Sequence, residues 1–290
     1  MKLPFTKMEG LGNDFILVDC REFNPPDISA LAQKLCHRRF GIGADQLLLL
    51  YPSERADFRM VIVNADGSEV EMCGNGIRCF AKYVWDKGLS DKRAIRVETL
   101  AGIIIPEQRD SLIRVDMGEP VLEPSKVPVE IPDYQPETLH SGERPMIIDY
   151  PLFIDDALFK ITCVSMGNPH AVIVVDNVTT FPVAYYGPMI ENHHFFPKRT
   201  NVEFIEIMSP SEIKMRVWER GAGETMACGT GASAVVVAAS LKGLTARSVT
   251  VHLMGGDLFI EWSADNRVSM SGPAVEVFTG VFNFETRTES

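Results

Sequence analysis

The sequence predicts an α/β (α+β) protein of two pseudo-symmetric, duplicated domains, each a mostly antiparallel sheet curled around a central helix, with the active site in the cleft between them. Three observations carry this expectation. The chain has 290 residues, about twice what one average domain takes. Its text is written twice at a nearly constant spacing. Each copy holds several short β-rich runs and one long helical run, the mixture from which a sheet packed on a helix is built.

The spacing is 155 residues, the interval from Cys73 to Cys228, Met60 to Met215, Glu69 to Glu224, Gly88-Leu89 to Gly243-Leu244 and Gly12-Asn13 to Gly167-Asn168. "RVDMGEP" at 114–120 recurs as "RVSMSGP" at 267–273, offset by 153. One match would be chance. This many in one register mark an internal duplication.

Along each copy the elements follow the same order. A β-branched run, "MVIVN" or "KMRVWE", predicts a strand and leads through a glycine-containing turn to Cys-Gly-x-Gly. A helix follows, "IRCFAKYVWDKG" or "ASAVVVAASLKG", stopped by Gly88 or Gly243, because glycine accepts the left-handed conformation that ends helices. The runs "AIRVETLAGIIIPE" and "SVTVHLMGGDLFIEW" predict hairpins, being β-rich and punctuated by glycine. Residues 118–145 hold six of the 18 prolines, marking a crossover. The first half is therefore placed at 1–120, joined by the last strand at about 277–290, and the second at 121–276.

Composition narrows the function. Hydrophobic content of 46% with 23% charged residues is that of a soluble globular enzyme, and no apolar run approaches the ~18 residues of a membrane span. The opening "MKLPFTKMEG" lacks the apolar core of a signal peptide, so a cytoplasmic protein is expected. A net charge of −11 argues against nucleic acid, whose phosphates need clustered Lys and Arg. Of six cysteines, Cys20, Cys36, Cys79 and Cys163 are expected as buried core thiols. No Cys-x-x-Cys pair or other zinc-like spacing is present.

The remaining two, Cys73 and Cys228, carry the chemistry. A Gly-x-Gly turn at a helix start leaves backbone N–H groups at the positive end of the helix dipole. A thiolate is favoured there, and such positions pull a thiol pKa from about 8.5 to between ~3.5 and 7.5. Two domains related by a pseudo-two-fold axis set equivalent residues on opposite faces of a substrate lying on that axis. This arrangement suits inversion of a carbon centre, one group removing a proton as thiolate and the other delivering one as thiol. The N–H groups of both helix starts would stabilise the carbanion through the substrate carboxylate. Other readings are weaker. "GAGETMACGTG" lacks the Gly-Lys-Ser/Thr end of a P-loop. The adjacent histidines of "ENHHFF" do not share a face as metal ligands do, so no metal is expected. No lysine stands in a setting that argues for pyridoxal phosphate.

Six stretches, "MEGLGNDFILVD", "GIGADQLLLL", "NADGSEVEMCGNGIRCFAKYV", "SMGNPHAVIVVD", "RTNVEFIEI" and "VWERGAGETMACGTGASA", together resemble the diaminopimelate epimerase family in its own order and over nearly the whole chain. The resemblance implies a cofactor-independent isomerase, a homodimer, that interconverts LL- and meso-2,6-diaminopimelate in lysine and peptidoglycan-precursor biosynthesis. It assigns Cys73 and Cys228 as the acid/base pair, and the backbone N–H groups of Gly74, Asn75, Gly229 and Thr230 to the reacting carboxylate. Asn13, Gln46, Asn64, Asn168, Asn201, Glu219 and Arg220 match its substrate-contacting positions, and His170 is an auxiliary to a thiol's proton balance or a structural hydrogen-bonding residue. The departures are Trp218 for tyrosine, Thr230 where serine is also common, and Val202-Glu203 in place of smaller residues. The alternatives are a proline- or hydroxyproline-racemase-like enzyme, which has no need of Glu219 and Arg220, a non-catalytic amino-acid-binding protein, which has no need of both cysteines, and a thiol-disulfide redox enzyme.

Overall fold

In the computed structural model, which describes residues 2–71, 73–131 and 145–283, the chain divides into two units. One takes the described residues up to Val115 and those from Gly272 onward, and the other takes those from Asp116 to Ser271.

Along the chain to the unit boundary run β1 (Lys2–Gly10), β2 (Asn13–Asp19), α1 (Ile28–Cys36), β3 (Gln46–Tyr51), β4 (Phe58–Asn64), β5 (Glu69–Val70), α2 (Gly74–Asp86), β6 (Val97–Thr99), β7 (Gly102–Ile104), β8 (Glu107–Arg109) and β9 (Leu112–Gly118). The second unit holds β10 (Tyr150–Ile154), β11 (Ala157–Ser165), β12 (Pro169–Val174), α3 (Val183–Glu191), β13 (Asn201–Ser209), β14 (Glu212–Glu219), β15 (Gly223–Thr225), α4 (Gly229–Leu241), β16 (Ser248–Leu253), β17 (Gly256–Trp262) and β18 (Val268–Gly272). Strand β19 (Val275–Asn283) returns to the first unit and pairs with β1.

The first sheet runs β19-β1-β2-β3-β4-β6-β7, and the second unit's strands run β10-β11-β12-β13-β14-β16-β17-β18. Neighbours are antiparallel except β2/β3 and β4/β6 in one unit, and β12/β13 and β14/β16 in the other. Each parallel pair is the one whose strands are joined through a helix, since parallel neighbours need a long crossover. The duplicated text thus folds into duplicated topology, a mostly antiparallel mixed α/β arrangement in both units.

Both faces of the first sheet are covered, which is why its strands read as continuous apolar runs rather than alternating ones. Ile16, Val18, Leu47, Leu49, Val61 and Val63 pack with Leu31 and Leu35 of α1. Phe15 and Leu48, one position out of step, lie instead against α2 at Gly76. In the second unit Ala171, Ile173, Val202 and Phe204 pack with Val183 and Ile190 of α3, leaving His170 and Glu203 on the side of α4. Helix α4 is buried nearly all round, at Gly229 and from Gly231 to Ala239, as its unbroken small and apolar text requires.

Both central helices begin and end alike. Cys73 and Cys228 are the N-caps, extended at φ −139° and −127°, and each Sγ accepts the N–H three residues on, Gly76 or Gly231. Gly88 and Gly243 sit at φ +63° and +68°. Leu89 N–H then reaches Val84 O and Leu244 N–H reaches Ala239 O, the bond that closes a glycine-terminated helix. Cys20, Cys36, Cys79 and Cys163 are buried, and burial pushes the first two thiols up to about 11 and about 12. Among the described residues no helix is long and apolar enough to cross a membrane.

Candidate active site

In the first unit the turn between β1 and β2 places Asn13 beside the start of α2. Leu11 and Gly12 both take positive φ, 59° and 83°, the backbone a two-residue hairpin needs. The Cys73 thiol donates to Asn13 Oδ1 at 3.7 Å, and Asn75 Nδ2 donates to the same oxygen at 3.3 Å. Asn13 is oriented from behind by Asp45, whose Oδ2 accepts Asn13 Nδ2 at 2.8 Å and the Asp14 N–H at 3.1 Å. Gln46 and Asn64 are cross-strand partners on β3 and β4. Gln46 Nε2 donates to Asn64 Oδ1 at 2.8 Å, Asn64 Nδ2 to Ser68 Oγ at 3.0 Å, and the buried Gln46 Oε1 accepts no bond among the described residues.

Helix α2 also carries Arg78, fully buried. Its guanidinium donates to Gly74 O at 3.2 Å, Asn75 Oδ1 at 3.0 Å and Pro273 O at 3.1 Å. The first turn of α2 and the Asn75 amide are thereby tied to the segment leading into β19. Burial disfavours its charged form, so its pKa is lowered.

The second unit builds a more charged surround for its cysteine. His170 and Glu203 are both fully buried, with Nδ1 2.6 Å from Glu203 Oε1, while His170 Nε2 stands 2.9 Å from Asn168 Oδ1. Asn168 Nδ2 donates to Thr230 Oγ1 at 3.3 Å, and that hydroxyl lies 3.5 Å from Cys228 Sγ. Glu219 accepts from the Thr225 hydroxyl. Burial, aided by the charge of Glu203, raises the Glu219 carboxyl against the opposing contacts from Thr225 and Cys228. Asn201 Oδ1 accepts the Arg220 N–H at 2.9 Å, and its Nδ2 donates to Pro169 O at 2.9 Å.

At one point the structure corrects the sequence expectation. The helix start was expected to pull the Cys228 thiol down, yet burial, Glu219 and Glu203 push it well above its ordinary value, outweighing the Thr230 and Gly231 contacts. The Arg220 guanidinium, expected to hold the far end of a substrate, is exposed and donates to Lys198 O at 3.1 Å. Within each unit the residues singled out by sequence otherwise gather near the central helix start: Cys73, Gly74, Asn75 and Asn13 in one, and Cys228, Gly229, Thr230, Asn168, His170 and Glu219 in the other. Gln46 and Asn64 bond each other rather than Asn13, and Asn201 braces the Arg220 backbone.

Residues 5–123 and 162–277 match the family model described as diaminopimelate epimerase. The chain belongs to the diaminopimelate epimerase family. Proteins named diaminopimelate epimerase from Pelotomaculum thermopropionicum and Moorella thermoacetica are 56% and 54% identical to it, over 98% and 97% of this chain and 100% and 99% of theirs. Among solved structures, a phenazine biosynthesis protein of the PhzF family from Bacillus anthracis aligns with a TM-score of 0.71 at 17% identity, covering 98% of this chain and 100% of that one. A hydroxyproline epimerase from Agrobacterium vitis aligns at 0.65 and 13% identity, covering 97% and 91%. At such identities the likeness concerns the fold. Membership of the diaminopimelate epimerase family makes the chain an isomerase.

Four residues around these family positions are given no role by the sequence: Asp45, Arg78, Glu191 and Glu203, the last noted there only as a departure from the family. Glu191, buried at the end of α3, accepts from Trp218 Nε1 at 2.8 Å, Gly221 N–H at 2.9 Å and Arg199 Nη1 at 3.1 Å, and so braces both sides of Glu219-Arg220. A signal existed for Glu203 and His170. Positions 155 earlier hold Leu48 and Phe15, so both members of one contact pair change from apolar to ionisable between the copies.

The same register yields a prediction. An alanine Cβ at Gly231 would stand 2.8 Å from Glu203 Oε1 and 3.0 Å from Met215 Cε, whereas at Gly76 the nearest atoms, on Cys73, Leu48 and Phe15, are all 3.4 Å away. Gly76→Ala gains about 1 kcal/mol of helix propensity and is expected within about 1 kcal/mol of the parent. Gly231→Ala must displace a carboxylate held by His170 and is expected to cost about 1–3 kcal/mol net. Urea unfolding of the two variants checks this, and equal losses would contradict it.

Proposed function

We propose that this chain interconverts LL- and meso-2,6-diaminopimelate without a cofactor, using Cys73 and Cys228 as the acid/base pair. The observation that carries the reading is that each copy of the duplication caps its central helix with a cysteine whose sulfur accepts that helix's own N–H. The neighbouring N–H groups, of Gly74, Asn75, Gly229 and Thr230, belong to the first two positions of their helices, where no intrahelical acceptor exists.

In one direction a thiolate takes the proton from the α-carbon, and the electron pair left behind spreads into the adjacent carboxylate. Those N–H groups stabilise the developing charge. The other thiol then gives its proton to the opposite face of the carbon, leaving the first cysteine as thiol and the second as thiolate. The reverse reaction uses the same groups with roles exchanged. Asn13, Gln46, Asn64, Asn168, Asn201, Glu219 and Arg220 hold the amines and carboxylates of the substrate. Gln46 Oε1, buried without a donor among the described residues, supports a ligand that brings N–H groups, because such an atom costs free energy until it is paired. The wider reading, a homodimer serving lysine and peptidoglycan-precursor synthesis, rests on the family resemblance.

The test is to incubate the protein with LL-diaminopimelate in D₂O, without pyridoxal phosphate or added metal, with proline as a parallel substrate. Conversion to the meso isomer is expected, with deuterium at the inverted carbon from the first turnover and far less in recovered substrate. The receiving face takes its proton from a thiol already equilibrated with solvent, whereas return to the original face restores the proton just removed. Recovered substrate labelled as fast as product would mean one shuttling base. Turnover of proline in place of diaminopimelate would overturn the substrate.

A further inference from the structure

We infer that Glu203 is a positioning residue for the reaction: it holds the His170 ring, and through that ring the Asn168 amide that faces Thr230 beside Cys228. The inference rests on the reading of Cys228 as a reacting thiol.

The duplication supplies an internal control. Leu48 and Phe15, the residues 155 positions before Glu203 and His170, both lie 3.4 Å from the Cβ position of Gly76, and Glu203 Oε1 lies 2.8 Å from that of Gly231. Both pairs occupy the floor beneath a cysteine-capped helix start. The first copy shows that this fold needs nothing polar there. Burying a carboxylate and an imidazole completely is costly, and replacing such a pair by apolar side chains is often neutral or stabilising. Stability therefore gives no reason for Glu203 and His170.

Their hydrogen bonds give a chemical one. From Glu203 Oε1 the contacts run to His170 Nδ1 at 2.6 Å, from Nε2 to Asn168 Oδ1 at 2.9 Å, from Asn168 Nδ2 to Thr230 Oγ1 at 3.3 Å, and from there to Cys228 Sγ at 3.5 Å. With Glu203 taken as a carboxylate and both ring nitrogens as donors to the oxygens they face, the ring is an imidazolium. Were Glu203 neutral, the ring would lose its counter-charge and a proton. In the tautomer that keeps the remaining proton on Nδ1, Nε2 becomes an acceptor, and the Asn168 amide turns over to offer Nδ2–H to it, presenting Oδ1 to Thr230. One buried carboxylate thus decides which end of a substrate-binding amide is offered beside Cys228. Its second oxygen, Oε2, is buried and accepts no bond among the described residues, so its field reaches the groups around it. Those groups are His170, Glu219, Cys228 and, on β11, Cys163.

The experiment uses Glu203→Gln, which keeps shape and removes charge, and His170→Phe with Glu203→Leu, which installs the first copy's pair. Proton–nitrogen correlation spectra of the ¹⁵N-labelled, ligand-free protein, with His170 assigned from its loss in the double variant, should show both ring nitrogens protonated at pH 7. Only one should be protonated in Glu203→Gln. This readout does not depend on epimerase activity, so it stands even if the proposed substrate is wrong. In kinetics, Glu203→Gln should lower kcat at least ~10-fold, as removing the carboxylate that fixes a functional histidine's tautomer does, with KM changed less and the pH profile displaced. The double variant should melt no lower than the parent and yet share the loss of kcat. A neutral His170 in the parent, an unchanged ring in Glu203→Gln, or a parent-like kcat would each overturn the inference.

Discussion

Replacing either Cys73 or Cys228 with alanine is expected to cut kcat for inversion by about 10²–10⁴-fold, the usual contribution of a positioned acid or base. The two losses should not multiply. Inversion needs both a group to take the proton and a group to give one, so the double variant should be little worse than either single variant, as with other residues that act as a unit. Melting should change little, because alanine fills most of the volume of a cysteine and an N-cap bond from sulfur at 3.4 Å is weak. Chromatographic separation of the stereoisomers measures the rate. A variant retaining a tenth of the parental kcat would remove that cysteine from the pair, while melting far below the parent would assign it a structural role.

Asp14→Ala is expected to destabilise the protein by about 2–4 kcal/mol at pH 7. Asp14 sits on β2, where its carboxylate receives Lys7 Nζ at 2.6 Å, Arg38 Nη2 at 2.8 Å and the Asp45 N–H at 3.0 Å. Lys7, also bonded to Gly43 O, is buried and would be left without its counter-charge. Burial alone would raise the Asp14 carboxyl, but Arg38 and Lys7 together hold it far below the usual carboxylate range. A folded value below the unfolded value of about 3.9 means that the stabilisation is complete above the unfolded value and is lost as pH falls toward the folded one. The gap in melting temperature between parent and variant should therefore be widest near neutrality and should narrow from about pH 5 downward. A gap independent of pH would show that the interaction is not the charge pairing described.

The two helix starts were legible because their rules are local. Cys-Gly-x-Gly needs only the next turn to place a sulfur over an N–H, and Gly88 and Gly243 need only their own backbone freedom to end the helices. What stayed hidden depends on distant parts of the chain. The Glu203–His170 bond joins residues 33 apart and exists because β12 and β13 run parallel with Val172 opposite Glu203. Arg78 reaches Pro273 across 195 positions, and nothing near it in sequence announces the acceptor. The same distance defeated the expectation for the Cys228 thiol. Helix-start chemistry is written beside the cysteine, but the burial that overrules it, and the Glu219 and Glu203 carboxylates that add to it, come from other parts of the chain.

The return of β19 to β1 has a consequence for synthesis on the ribosome. Chains usually fold from the amino end as they emerge, yet here the first sheet lacks its outer strand until residue 283 has been added. Until then β1 has β2 on one side and an unpaired row of backbone groups on the other, an edge open to wrong partners. Among the described residues, the segment from Asp116 to Ser271 contains no such deferred piece and is finished while the earlier part still waits. A nascent chain of this kind completes its middle before its beginning, and anything that stalls elongation before β19 has been added leaves the aggregation-prone edge exposed for as long as the pause lasts.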